Sequence, residues 1–236
     1  MRNLLVIALL PAAAACSTIQ AAHTRLPAEF GPEPDRIELV GLQGPQTGAY
    51  TAGAYSGRYD RYASGTRILG AFAAKNQHAG FSITGPGITP ALVADCMMSE
   101  QSVQSERVEV LTAPMSYRCT FSQGGEPARA TFDLHETNEA AGTSLGYKRD
   151  GTFRYAGAAF EIRSEHRLQE TALPTAAPNG YVFLRGGRPV GAIDLNGSPQ
   201  LVLPMGTDEA TSRALTIAAL ATALLWDPAD SDMHDW

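Results

Sequence analysis

The stretch "RALTIAALATALLWDP", Arg213 to Pro228, decides how the rest of the chain is read. Between Ala214 and Trp226 its only polar side chains are Thr216 and Thr222. Thr207 reads as the N-cap, and Asp208 and Glu209 in the first turn suit the helix dipole. Asp227-Pro228 stops the helix, because the residue before proline avoids helical backbone angles. The expected helix, 208–226, is about 28 Å long. Its apolar part would extend about 20 Å, short of the ~30 Å hydrocarbon core of a bilayer. A helix that is apolar all round has to be covered all round. A partner covers one side of a helix, whereas a sheet of the same chain curled around it covers every side.

The chain upstream is suited to that sheet. From Ile37 to about Pro204 the sequence alternates apolar and polar residues and is punctuated by turn residues. In "SYRCTF", Tyr117, Cys119 and Phe121 share one face, with Arg118 and Thr120 on the other. "ARATFDL" places Ala130, Phe132 and Leu134 on one face, and "QGGEP" is the turn before it. "GYKRDGTFRY" has Asp150-Gly151 between two short runs, the signature of a type I′ hairpin. "AFEIRS" alternates again. "GYVFLRGGRPVGAIDLNGSPQLVLP" reads as a three-strand meander over Tyr181–Arg185, Val190–Leu195 and Gln200–Leu203, turning at Gly186-Gly187 and Asn196-Gly197. "RIELVGL", "GRYDRYASG", "TRILGAF" and "GFSIT" are further strands. About 12 strands result. The expected fold is mainly β: an antiparallel barrel or strongly curled sheet around the hydrophobic C-terminal helix. The alternative is an open sheet or sandwich with the helix on one face.

A barrel of about 12 antiparallel strands threaded by a hydrophobic C-terminal helix resembles the tubby C-terminal-like fold. The carriers of the resemblance are "GYVFLRGGRPVGAIDLNG" and "RALTIAALATALLWDP". No tubby phosphoinositide-binding signature is present, so the resemblance carries no functional residue, and architecture alone does not license a function.

The N-terminus addresses the compartment. "MRN" is a short positive segment and Leu4–Ala15 an apolar run of signal-peptide length. The run ends in "AAAC", which resembles the bacterial lipobox, with Ala13 where that family prefers Leu. The resemblance implies cleavage before Cys16, acylation of Cys16 and a membrane anchor, since each buried CH₂ contributes about 0.8 kcal/mol. Ser17 after the cysteine resembles the outer-membrane sorting rule of enteric bacteria. The alternative is an ordinary secretory signal. Residues 16–36 are then expected to be a flexible tether, 37–228 one β-rich domain, and 229–236 a loose tail.

Cysteine content agrees with an oxidising compartment. The chain has three cysteines. With Cys16 lipidated, Cys96 and Cys119 form an even pair, and a bridge over that loop is worth about 3 kcal/mol in the chain-entropy model. No Cys-x-x-Cys suggests a zinc ribbon or redox site. The chain has 236 residues and a net charge of −6, with Lys75 and Lys148 its only lysines. Such a chain has no electrostatic case for binding nucleic acid.

Chemistry-bearing motifs are sparse. "GTSLG" matches the G-x-S-x-G elbow around Ser144, but the strand before it and the helix after it are missing. "HETNE", His135 to Glu139, offers a His/Glu cluster of a kind that could serve acid/base or metal chemistry. His166 beside Glu165 is similar, and zinc needs more convergent ligands than either provides. "GAYTAGAYSGRYDRYASG" interleaves Tyr50, Tyr55, Tyr59 and Tyr62 with Arg58 and Arg61. On one face these residues could stack on a sugar or grip an anionic headgroup; otherwise the tyrosines are half-buried wall residues. The chain reads as a cell-envelope lipoprotein at the periplasmic membrane surface, a non-catalytic binding or structural module for a protein, glycan or lipid partner. No metal or cofactor is expected. The alternatives are a periplasmic hydrolase using Ser144 or the His135 cluster, and a lipid-binding or lipid-sensing domain.

Overall fold

The computed structural model describes residues 22–42, 46–68, 72–104, 109–137, 147–171 and 173–226. After a 3₁₀ turn (Ala28–Phe30) come twelve strands. They are β1 (Asp35–Val40), β2 (Thr47–Ala52), β3 (Tyr55–Ile68), β4 (Phe72–Gly85), β5 (Ile88–Gln104) and β6 (Glu109–Gln123). β7 (Glu126–Glu136), β8 (Arg149–Tyr155), β9 (Ala158–Glu165), β10 (Gly180–Arg185), β11 (Arg188–Asp194) and β12 (Gln200–Leu203) follow, then the helix α1 (Glu209–Leu224). Each strand pairs antiparallel with its neighbours in sequence, and β1 pairs β12 from Asp35↔Leu203 to Glu38↔Gln200. The barrel is therefore closed. Closure leaves the body of the barrel without an open edge. Beyond it, among the described residues, β3 from Tyr62 to Ile68 pairs only with β4, and β6 from Glu109 to Met115 only with β5.

The pleat sorts side chains. Phe81 and Ile83 of β4, Leu92 and Cys96 of β5, Tyr117 and Phe121 of β6 and Phe132 and Leu134 of β7 are buried inside. Arg58, Asp95, Arg118 and Thr120 are exposed outside. Polar outside and apolar inside is the reverse of a membrane-spanning barrel. No described helix is long and apolar enough to cross a membrane.

α1 lies in the barrel. From Ala214 to Thr222 no residue is more than 2% exposed, so every face of the helix is covered. Burial of Leu215, Ile217, Leu220 and Leu224 contributes about 1.5–3 kcal/mol each. Gly191 on β11 permits close approach, since a Cβ there would stand 2.6 Å from Leu215 Cδ1. The two threonines are accommodated by back-bonding: Thr216 Oγ1 donates to Ser212 O at 2.9 Å and Thr222 Oγ1 to Ala218 O at 2.8 Å. At the far end Tyr117 donates to Ala221 O (3.0 Å) and Gln77 Nε2 to Leu224 O (2.8 Å), so wall residues cap carbonyls the helix leaves over. Burial pushes the Tyr117 phenol well above its ordinary range.

Four local expectations are corrected. The N-cap is Asp208, not Thr207: its carboxylate accepts from Thr211 N (2.9 Å) and Thr211 Oγ1 (2.7 Å), which holds its pKa below the usual value. Thr207 Oγ1 donates back to Pro204 O instead. The helix ends at Leu224 rather than Trp226, because Gln77 Oε1 accepts the Trp226 N–H (2.9 Å) and pulls the chain out of the helix. Asp150-Gly151 is not a turn but lies within β8, which turns at Ala156-Gly157. Gly151 is there for close packing, since a Cβ would stand 2.1 Å from Asp133 O.

The fourth concerns the tether. From Ala22 on, the segment is docked on the barrel. Thr24 bridges Leu168, and Phe30 is 4% exposed against the outward row Val182, Ala192 and Val202. The outer wall at β10–β12 is apolar because this segment covers it. Cys16, Ser144, Glu139, His234 and the tail lie outside the described residues.

Cys96 and Cys119 are register partners on β5 and β6 and are joined by a disulfide. The Cys96→Ala/Cys119→Ala variant is expected to lose about 3 kcal/mol in urea unfolding. A variant as stable as the parent would show that neighbouring strand pairing already restricts that loop in the unfolded chain.

Candidate functional site

The barrel interior changes character where the helix stops. Beyond Leu224 the inward positions carry Gln77 and Lys75 on β4, Glu100 and Ser102 on β5, Glu136 on β7 and Arg149 on β8. Each charged one pairs with its register partner on the next strand, Arg149 Nη1 with Glu136 Oε2 at 2.7 Å and Lys75 Nζ with Glu100 Oε1 at 3.3 Å. Charges this deep are tolerated only when paired. The lower barrel is thus a polar plug beneath an apolar core.

Beside this plug is a recess of about 280 Å³ lined by Arg61, Asn179, Tyr181, Asn196, Thr222 and Trp226, among others. It is at the small end of the range for small-molecule sites. Arg61 projects inward from β3. Its guanidinium carbon lies 4.6 Å from the Trp226 ring centre and 5.7 Å from that of Tyr59, and Nη2 donates to Leu42 O at 3.3 Å. Burial lowers the Arg61 pKa, and the Tyr59 and Tyr117 phenols oppose that shift. The last turn of α1 lines the same recess, so the guanidinium faces the negative end of the helix dipole. The recess therefore offers a held planar cation and an indole ring, with its positive field partly offset, while the Asn179 amide nitrogen is engaged by His166 O and Thr175 Oγ1 and that of Asn196 by Ala22 O.

The docked N-terminal segment closes one rim. Asp194, 1% exposed, accepts from Thr24 N (3.2 Å), Thr24 Oγ1 (2.7 Å) and Asn196 N (3.1 Å), and its second oxygen lies 2.8 Å from His23 Nδ1. Asn196 Nδ2 donates to Ala22 O. A buried carboxylate with four partners fixes where the chain joins the barrel.

The tyrosine/arginine stretch does not form one surface, and its assignment as a surface binding patch is corrected. Strand alternation splits it. Tyr50, Tyr55 and Tyr59 face inward at 3%, 6% and 3% exposure. Tyr50 donates to Ser82 O (2.8 Å) and Tyr59 to Gly41 O (3.3 Å). Burial pushes the Tyr50 and Tyr55 phenols above their ordinary pKa. Arg58 and Tyr62 face outward, and Tyr62 stacks on His78 at 5.0 Å. Arg61 alone reaches the recess.

The same period separates the His135 cluster. His135 points outward beside Asp133 (3.4 Å), while Glu136 turns inward to Arg149. His166 bridges Ser164 Oγ (3.0 Å) and Thr175 O (3.1 Å), and the Glu165 carboxylate accepts the His166 and Arg167 N–H groups at 3.0 and 2.9 Å. Ser164 Oγ also accepts Arg149 N–H at 2.9 Å, so this Ser–His contact is woven into the wall. Among the described residues no His/Cys/Asp/Glu group could hold a metal ion.

Sequence reading missed the recess, since Arg61, Asn179, Asn196 and Trp226 are far apart in the chain and only closure brings them together. No protein-family model, characterised protein or solved structure matches this chain.

Proposed function

We propose that this chain is a cell-envelope lipoprotein, acylated at Cys16 and held at the periplasmic face of a membrane, where its barrel acts as a non-catalytic binding module. The observation that carries the reading is cysteine arithmetic. Cys96 and Cys119 are joined. The remaining cysteine, Cys16, stands directly after an apolar run of signal length that ends in small residues. A disulfide also suits an oxidising compartment. The binding surface is the barrel end with the Arg61/Trp226 recess, whose size and mixed lining suit a small polar group of a protein, glycan or lipid. A lipid carrier would need interior space that α1 occupies. A hydrolase at His135 would need partners that the alternation of β7 turns away from it.

The test is metabolic labelling with a radiolabelled fatty acid in a bacterial host. The parent protein is expected to take up label and Cys16→Ser to take up none. Equal labelling of the two, or none in the parent, overturns the anchor.

A further inference from the structure

The geometry points to the barrel end opposite the N-terminus of α1 as a membrane-apposed surface, with the β3–β4 and β5–β6 arms resting their outward apolar row on the lipid interface. This rests on acylation of Cys16.

Three observations converge. First, the chain leaves the barrel at this end. Ala22 is held by Asn196, which lines the recess together with Trp226, so the exit point is level with the end of α1. The six residue steps from Ala22 back to Cys16 reach at most about 22 Å when fully extended. That tether keeps this end, and no other, close to the bilayer.

Second, β3 to β6 run past the end of the helix. Gln77 marks the level of Leu224, and β4 begins five residues earlier, at Phe72. That is about 17 Å of strand, or about 13 Å along the barrel axis at a tilt of ~40°. The arms thus project into the same gap that the tether must span.

Third, the arms carry an apolar row across three strands. Phe72, Val103 and Val110 are direct cross-strand partners and form one outward row on β4, β5 and β6. Phe72 and Val110 are 54% and 56% exposed. Leu173, 81% exposed on the β9–β10 connection, and Tyr147 stand at the same end of the barrel. Nearer the middle the outer wall of these strands mixes Arg58, Asp60, Asp95 and Arg118 with exposed Tyr62, Val93 and Met97, so what is particular to the arms is a continuous apolar row at the barrel end from which the chain leaves. Apolar and aromatic side chains presented at headgroup depth are what an interfacial surface requires.

The occupant is the bilayer rather than a second copy, because a tether of this length places lipid at the patch whenever the protein is anchored. The recess with Arg61 then opens toward the membrane.

The experiment uses the full acylated protein in phosphatidylethanolamine/phosphatidylglycerol vesicles. Phe72→Cys, Val110→Cys and Met205→Cys are labelled one at a time with an environment-sensitive fluorophore; Cys96–Cys119 is bonded and Cys16 acylated, so only the new thiol reacts. Met205, 69% exposed ahead of α1, reports the opposite end. Aqueous iodide is expected to quench the probes at 72 and 110 roughly threefold less than the probe at 205. Equal quenching at all three sites in protein that floats with the vesicles overturns this inference and leaves the anchor standing. Protein that fails to float overturns the anchor and this inference with it. Shielding that vanishes below one protein per vesicle assigns the patch to a second copy and also overturns it.

Discussion

Leu220→Asp leaves no cooperatively folded domain. Leu220 is fully buried in the middle of α1, and an isolated carboxylate there costs more than the whole stability of a typical domain unless it is neutralised or the helix leaves the barrel. Ala218→Asp has the same outcome, although Ala218 lies about 200° around the helix from Leu220. The pair is diagnostic. A helix laid on one face of an open sheet would tolerate an aspartate on its back; a helix enclosed by twelve strands tolerates it on neither side. Leu220→Ala is the milder control, expected to cost about 2–5 kcal/mol. Near-UV circular dichroism and limited proteolysis read the outcome. A native spectrum for either aspartate variant would show that α1 has a wet face.

Phe153→Ala is expected to lose about 3–5 kcal/mol, with an unchanged dependence on denaturant concentration. Phe153 is fully buried on β8 and sits among rings from four strands. Phe121 and Phe132 lie 6.2 Å away, Tyr155 at 6.3 Å and Phe160 at 6.2 Å. These rings fill the side of the barrel where β6 to β9 close around the helix. Closed strands cannot collapse into a void as a loop can, so the cavity term stays large. Phe153→Leu keeps most of the volume and is expected to cost less than half as much. Urea unfolding monitored by fluorescence separates the two variants.

Much of this architecture was legible in the chain. An apolar helix without a wet face requires enclosure, and alternating upstream segments supply it. The two-residue period of "SYRCTF" and "ARATFDL" grouped Tyr117 with Cys119 and Phe132 with Leu134 on one face of each strand, and that face is the inner one. The Cys96–Cys119 pairing followed from parity and is present. Local patterns failed where a neighbour overrode them. Asp150-Gly151 has turn chemistry, but β7 packs over Gly151 and keeps it in a strand. The tyrosine/arginine stretch looked like a surface in one dimension, yet alternation sends Tyr50, Tyr55 and Tyr59 inward. Ala22 to Pro34 looked like a linker, because the outer-wall row Val182, Ala192 and Val202 that anchors Phe30 is remote in sequence.

The sequence by itself determined the class of fold and the placement of the core. Both depend on short-range periodicity and on a helix that must be covered, and these are properties of neighbouring residues. Only the tertiary structure decided that the sheet closes, that the N-terminal segment docks on its outer wall, and that Arg61, Asn179, Asn196 and Trp226 border one recess. Those outcomes depend on contacts between residues more than a hundred positions apart. The free energy of such contacts appears only when β1 meets β12, and no local pattern encodes it.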